Sequence, residues 1–543
     1  MVMRRLGYGI GLAVLGSALL AAGCQLIAGV RTDATPIEGH DPDGGGCKSN
    51  GDCASNLCTN GTCCIPGPQE ALCAGKCGQL QDECGQMVAC GGCNPPETCG
   101  ALTPNECRCA PGCPMWANVY GGSTSGMKGA AVALNAAGHV VLTGDFFSSI
   151  NFGGGTINLV GNGDAFFAEL DGTGSQVTAR SFGVAGSDQY GSAIAGDAAG
   201  NTLLAGNFHG DVDFGDGMVT DGIGLDLYVA KLDASGKHVW SKRFGDIGDQ
   251  SARALAVDGS GNVIVAGHFS GVLDFGGNNA LPGVGADDLF VAKLDPSGDT
   301  VWAKSFGSTG DDELGGIAVD GTGNVILIGT YPNDITFGST LSNQGGKDVF
   351  VAKLDASGTP VWAIPLGDAS DQRGYGVATD AGGNIFITGG FQGTINFVGG
   401  DKVTSANNDG VFVAKLDTSG TPVWTKAFTG DASTKAHGRS IAISKMGDVV
   451  VAGDIDGSLD FGGGARLAYP GFFVIGLDPS NGDHVWSRTF AGGTIVQPPA
   501  LATDFNSDVI ISGSYTGAID FGFGPVTANN GVANLFLMKL GRF

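Results

Sequence analysis

Seven side chains have the chemistry to hold a ligand: Lys128, Tyr190, Arg253, Arg373, Tyr375, His437 and Arg439. They are far apart in the chain, yet they fall at two fixed offsets from a recurring Ala-Val-Asp or its equivalent. Five residues before that Ala stand Lys128, Tyr190, Ser251, Glu313, Arg373, His437 and Gln497. Three before it stand Ala130, Ser192, Arg253, Gly315, Tyr375, Arg439 and Pro499. A shared offset in a repeat means a shared place in the fold. Cations gathered on one ring suit an anionic ligand such as a sugar acid, with Tyr190 and Tyr375 as stacking platforms. A competing use is internal: Asp188, Asp249, Asp311 and Asp371 recur seven residues before the same Ala and would pair with them.

Those four aspartates, with nearby backbone carbonyls, are also candidate ligands for Ca²⁺, which takes several oxygens. One carboxylate per loop is a thin donor set, no loop follows the EF-hand pattern, and turn capping explains an Asp equally well. No other cofactor is expected. Catalytic signatures are absent from the sequence. The seven histidines include no zinc-spaced pair, no His-Glu-x-x-His occurs, and there is no Gly-x-Ser-x-Gly elbow. His209 and His268 end what look like equivalent apolar runs, and His238 and His484 precede Val-Trp. The best acid–base pair on offer is His437 with Glu313 or Tyr375, in a unit whose Lys435-Ala-His437-Gly-Arg439 departs from its neighbours. The expected function is therefore a binding scaffold. A lyase or hydrolase with its site at a channel mouth is the alternative, and a purely structural envelope protein or adhesin is the third.

The elements that must position these residues form a long repeat. From Trp116 onward an Ala-Val-Asp segment is followed by Gly-Asn and an apolar run, then a Phe-Gly landmark. Phe-Val-Ala-Lys-Leu-Asp comes next, and Val-Trp-x-Lys-x-Phe-Gly closes the unit. The landmark phenylalanine recurs seven times, at Phe152, Phe214, Phe275, Phe337, Phe397, Phe461 and Phe521. Asp-x-Ser-Gly turns, as in Asp355-Ala-Ser-Gly358, separate the strands. Four short strands per unit at this period predict β-propeller blades. The last unit lacks its fourth strand, and Trp116-Ala-Asn-Val-Tyr-Gly121 matches Trp302-Ala-Lys-Ser-Phe-Gly307. The ring is thus expected to close with the 114–122 segment as the outer strand of blade seven, leaving no free edge. The six tryptophans, Trp116, Trp240, Trp302, Trp362, Trp424 and Trp486, share one repeat position, with Thr178 in the remaining copy. They are expected to pack between blades.

The repeat resembles the bacterial β-propeller repeat family, the SBBP or seven-bladed propeller repeats. The matching residues are Gly310-Asp-Asp312, Ala318-Val-Asp320, Gly323-Asn324, Asp348-Val-Phe-Val-Ala-Lys-Leu354 and Ser357-Gly358. That resemblance implies a fold and an extracytoplasmic setting but no single activity.

The N-terminal part points the same way. Arg4 and Arg5 precede an apolar run from Leu6 to Leu20 and then Ala21-Ala22-Gly23-Cys24. A basic start, a short apolar core and small residues make a secretory signal over residues 1–23. The sequence around Cys24 resembles a bacterial lipobox, which implies lipidation of Cys24 and, with Gln25 following it, sorting to the outer membrane. Residues 24–46 are expected to be a flexible tether. Fourteen further cysteines lie between Cys47 and Cys113, and none after. An even, dense set in an exported chain predicts a small disulfide domain over residues 47–113, whose connectivity stays open. The segment also resembles small cysteine-rich modules at the start of secreted bacterial lipoproteins.

The expected fold is accordingly all-β: a seven-bladed propeller of four-stranded blades over residues 114–543, after a small disulfide-rich domain. A net charge of −25 excludes nucleic acid as a partner, because phosphates need Lys and Arg. The expected partners are a membrane, through the lipid, and an anionic glycan or a protein ligand, held by a monomer.

Overall fold

The structure, a computed structural model, describes residues 112–542 except 122–125, 222–223, 278, 398–401 and 406–408, and before them only short strand segments between Cys58 and Arg108. The signal, Cys24, the tether and most of the cysteine block lie outside the described residues. The chain divides into two compact units, one of residues 1–93 with 103–107, the other of 94–102 with 108–543. In the first, Cys58–Thr59 pairs with Thr62–Cys63, and Gly78–Gln81 pairs with Met87–Gly91. In the second, Cys113 is buried and disulfide-bonded.

The second unit is an all-β propeller of seven blades, and its strand order follows the chain outward from the channel. Blade three is typical: Gln250–Val257 innermost, then Val263–Phe269, Asp288–Leu294 and, outermost, Thr300–Phe306, all antiparallel. The second and third strands are buried along nearly their whole length because both faces are covered by neighbouring blades. That burial explains why Asp348-Val-Phe-Val-Ala-Lys-Leu354 lacks a simple polar alternation. Each hydrophobic cluster accordingly spans two blades, for example Leu203 and Val229 with Val263 and Phe290.

The outer strand of blade seven is Pro114–Tyr120, paired with Asn534–Leu540. The chain is cut where the other blades turn between third and fourth strands, at Asp-x-Ser-Gly in blades two to five, and the cut ends still form that turn. Gly112 N–H donates to the Gly541 carbonyl at 3.1 Å, and Gly541 N–H donates to the Cys113 carbonyl at 2.8 Å. Gly112, at φ +71°, lies against the Trp486 ring as the turn glycines lie against the other tryptophans.

The blades are four-stranded as expected, and blades one to five each add a short two-stranded hairpin, which in blade six is continuous with the second and third strands. The Phe-Gly landmark tips an extra hairpin between the second and third strands, such as Asp211–Asp213 with Met218–Thr220. The landmark ring folds back between blades. Phe214 lies 4.8 Å from Phe182 of the preceding blade and 5.0 Å from Tyr228 of its own.

The tryptophans join blades by a second contact. Trp302 Nε1–H donates to the Ala356 carbonyl, in the next blade's turn, at 3.1 Å. Trp116, Trp240, Trp362 and Trp424 repeat it. Where Thr178 replaces the tryptophan, Arg180 Nη1 donates to the Gly236 carbonyl instead, at 2.6 Å.

Candidate functional site

The innermost strands line a channel whose cavity is about 410 Å³, with all seven blades contributing to its wall. The residues five before each Ala stand on the innermost strands. Tyr190, Arg373 and His437 lie within Asp188–Gly196, Gln372–Thr379 and Lys435–Ile443.

The residues three before each Ala occupy a single structural feature. The pairing of innermost and second strands skips one residue at Ser192, Arg253, Gly315, Tyr375 and Arg439, a β-bulge at the same place in each blade. Blade seven skips two, Pro498 and Pro499. A bulge leaves its extra residue unpaired and re-aims the side chain. Here Arg253, Tyr375 and Arg439 are turned into the channel wall.

A further ring escaped the sequence reading. Opposite Lys128, Tyr190, Ser251, Glu313, Arg373, His437 and Gln497, the second strands place Asp145, Asn207, His268, Thr330, Gly390, Asp454 and Ser514. The signal was present: each follows a Gly near the end of an apolar run, as in Gly144-Asp145-Phe146 and Gly453-Asp454-Ile455. His209 and His268 are therefore not equivalent. His268 belongs to this ring, whereas His209 is two residues beyond it, mostly exposed and 2.8 Å from Asp221.

The expected cations differ in how they are compensated. Arg439 donates through Nε to Asp454 Oδ1, and its guanidinium lies 4.2 Å over the Tyr375 ring. His437 Nδ1 is 2.9 Å from Asp454 Oδ2, and the His437 ring meets Tyr375 edge-on at 6.1 Å. Burial works against the charges of Arg439 and Asp454, but their attraction outweighs it: Arg439 is raised and Asp454 lowered in pKa. Arg373 is 3.6 Å from Glu313 and 3.8 Å from Asp371, and Glu313 is also 2.5 Å from Lys347. Lys128 Nζ sits 5.6 Å over the Phe147 ring. Arg253 alone of the expected arginines makes no ion pair among the described residues. It is reached by solvent yet walled in by the narrow channel; burial, then repulsion from Arg439, lowers its pKa. Burial also lowers His268, with Arg253 pushing the same way.

A side pocket of about 300 Å³ opens between blades five and six, lined by Arg373, Tyr375, Gly390, Asp409 and His437 among others. Gly390 makes the space: a Cβ there would come 2.4 Å from His437 Cδ2. His437 Nε2 is 3.7 Å from Asp409 Oδ2.

Of the Ca²⁺ candidates, Asp249 and Asp371 accept backbone N–H groups from Leu225 and Lys347 of the preceding blade, at 3.0 and 3.1 Å. Asp188 begins an innermost strand and Asp311 precedes one. Among the described residues no group of three or more His, Cys, Asp or Glu is placed to hold a metal.

Residues 287–524, less than half of the 543, match the family described as outer membrane protein assembly factor BamB. A WD repeat-containing protein of Acanthamoeba polyphaga mimivirus is 26% identical over 34% of this chain. The chain spans 16% of that relative's length. A protein of unknown function from Dyadobacter fermentans is similar at 13% identity and TM-score 0.36, over 79% of this chain and 99% of that one. A chain of a mitotic checkpoint complex is similar at 10% identity and TM-score 0.41, over 79% and 92%. The geometry itself shows the class: a seven-bladed β-propeller whose bulged innermost strands carry polar side chains into the central channel.

Proposed function

We propose that this protein is an envelope-anchored binding scaffold whose propeller channel takes the carboxylate of a small acidic ligand. The observation that carries this reading is Arg253, a channel guanidinium with no ion pair among the described residues, in a protein of net charge −25. A guanidinium that is open to the channel and lacks a counter-ion is free to take a carboxylate in charge-assisted hydrogen bonds. Arg439, held by Asp454 and stacked on Tyr375, presents a second guanidinium to the same cavity. Arg373, His437, Lys128 and Tyr190 frame the mouth. Sugar acids and acidic side chains of a protein ligand share the required carboxylate.

The test is calorimetry on the full chain with simple carboxylates and oligogalacturonate, alongside Arg253→Gln. Binding that disappears in the variant supports the reading. Equal binding by the variant, or no heat from any probe, sinks it.

The envelope setting rests on the sequence of residues 1–24 and on the likeness of 287–524 to a family described as an outer membrane assembly factor. Lipid attachment at Cys24 is the proposed anchor, and Cys24→Ser should release the protein from the membrane fraction. A variant still sedimenting with membranes would overturn it. Disulfides are the proposed support of the 47–113 segment, and Ca²⁺ at Asp188, Asp249, Asp311 and Asp371 is the weaker proposal, tested by a calcium-dependent thermal shift.

One observation favours the enzymatic alternative. His437 is oriented by Asp454 at Nδ1 and turns Nε2 toward Asp409 at the side pocket. A carboxylate at Nδ1 orients a catalytic histidine in this way. Turnover of a glycan substrate that is lost in His437→Gln would select it over simple binding.

A further inference from the structure

The ring on the second strands holds two aspartates in different states. Asp454 is paired with Arg439 and lies within hydrogen-bond distance of His437 Nδ1. Asp145 is buried, at 5% exposure, and lines the same cavity as Arg253 and Arg439. Its Oδ2 has no hydrogen-bond partner, and its carboxyl makes no ion pair among the described residues. Its cross-strand neighbour, Lys128, turns instead over the Phe147 ring. The other ionisable groups near it are Tyr190 and Tyr228 of blade two, whose hydroxyls are neutral at ordinary pH. A buried carboxyl without a donor is costly, so an orphan of this kind beside a cavity calls for an explanation in terms of an absent partner.

The channel is thus polarised. Blades three and six present guanidinium groups, and blade one presents an unpartnered carboxyl. We propose that the channel ligand is a small zwitterion, its carboxylate facing Arg253 and Arg439 and its ammonium facing Asp145. This rests on the carboxylate-binding reading above and adds the second, opposite charge.

Asp145 itself stores the matching proton. Burial, only partly offset by Lys128, raises the Asp145 pKa to about 8, so its carboxyl is mostly protonated at neutral pH. An arriving ammonium favours the carboxylate. The Asp145 proton then passes to buffer, and the ammonium keeps its own. Binding at pH 7 should release close to one proton per ligand.

The probes are ω-amino acids from β-alanine to 6-aminohexanoate, each paired with its des-amino carboxylate. They are measured by calorimetry on the full chain at pH 7, in two buffers of different ionisation enthalpy. At least one amino acid should bind roughly tenfold more tightly than its des-amino partner, as an added charge-assisted contact implies, and should release a proton. Asp145→Asn should abolish both the advantage and the proton release, while des-amino carboxylates still bind and so report a folded channel. If carboxylates bind but the amino acids gain nothing, or if the gain survives in Asp145→Asn, the zwitterion inference is overturned and the carboxylate reading stands. If neither series binds, both fall.

Discussion

At the residue scale, paired positions explain why so few residue types serve at each repeat position. Asp288 opens the third strand of blade three, and a Cβ on Gly307 would come 1.7 Å from its Oδ1. Gly183 and Gly367 meet Asp164 and Asp348 in the same way. In blade five the pair is reversed: Gly410 replaces the Asp, and Thr429 replaces the Gly. Blade six has Gly471 and Ala491. One of the two must lack a side chain. Gly307→Ala should therefore destabilise the protein by about 1–3 kcal/mol through overpacking. Adding Asp288→Gly should recover much of that loss, read as a non-additive double-mutant cycle in denaturant unfolding. Additive losses would show that the two residues are not coupled. The lysines of the third strands obey a similar rule. Lys293 and Lys353 pair with Asp258 and Asp320 at 2.8 and 3.0 Å, while blade six has Gly476 and Ser444.

At the element scale, the blade junction contributes a titration. Gln189, Gln250 and Gln372 are buried at the start of innermost strands, and blade four has Asp312 at that place. Burial raises the Asp312 pKa to about 7, with Asp288 and Asp311 adding to it, against two hydrogen bonds from Ser308. The unfolded carboxyl ionises near 3.8. Between those values the folded state holds the extra proton, so stability must fall as pH rises from about 4 to about 7. The ionised form costs about 2–4 kcal/mol above that window. Asp312→Gln should flatten this pH dependence and raise the melting temperature at pH 8. An unchanged pH profile would count against it. The outer strand makes a second prediction. Trp302→Ala should cost about 3–5 kcal/mol, the range for removing a large core ring. Trp302→Phe should cost less, because it loses chiefly the N–H bond to Ala356.

At the scale of the whole molecule, the ring is held shut by Pro114–Tyr120, the first strand of the propeller. Its hydrogen bonds to Asn534–Leu540 complete blade seven, and the Trp116 contact to the Gly172 carbonyl and the Phe152–Tyr120 contact at 4.8 Å cross the junction of blades seven and one. Removing residues 114–120 should lower the melting temperature by on the order of 10 °C or more, since several kcal/mol of burial go with the strand. An unaltered transition would show that closure is not what stabilises the ring.

Repeat count, four-stranded blades, closure through Trp116 and the inter-blade use of tryptophan were all legible in the sequence. Each follows from local patterns repeated often enough to be unambiguous: turn glycines, apolar runs and one aromatic at a fixed spacing. The offsets that picked out Arg253, Tyr375 and Arg439 were legible too. Their placement was not, because a β-bulge is a mismatch between two strands, and neither strand shows it alone. The Gly390 opening and the pairing of His437 with Asp454 likewise depend on which blades adjoin. Sequence by itself determined the propeller, because seven copies of one pattern admit few other ways to bury their faces. Only the tertiary structure decided which charges are compensated. Arg439 finds Asp454 across a strand pair, whereas Arg253 and Asp145 face the channel from blades that are not adjacent. Burial and distance across the ring set those states, and neither is a property of any one segment.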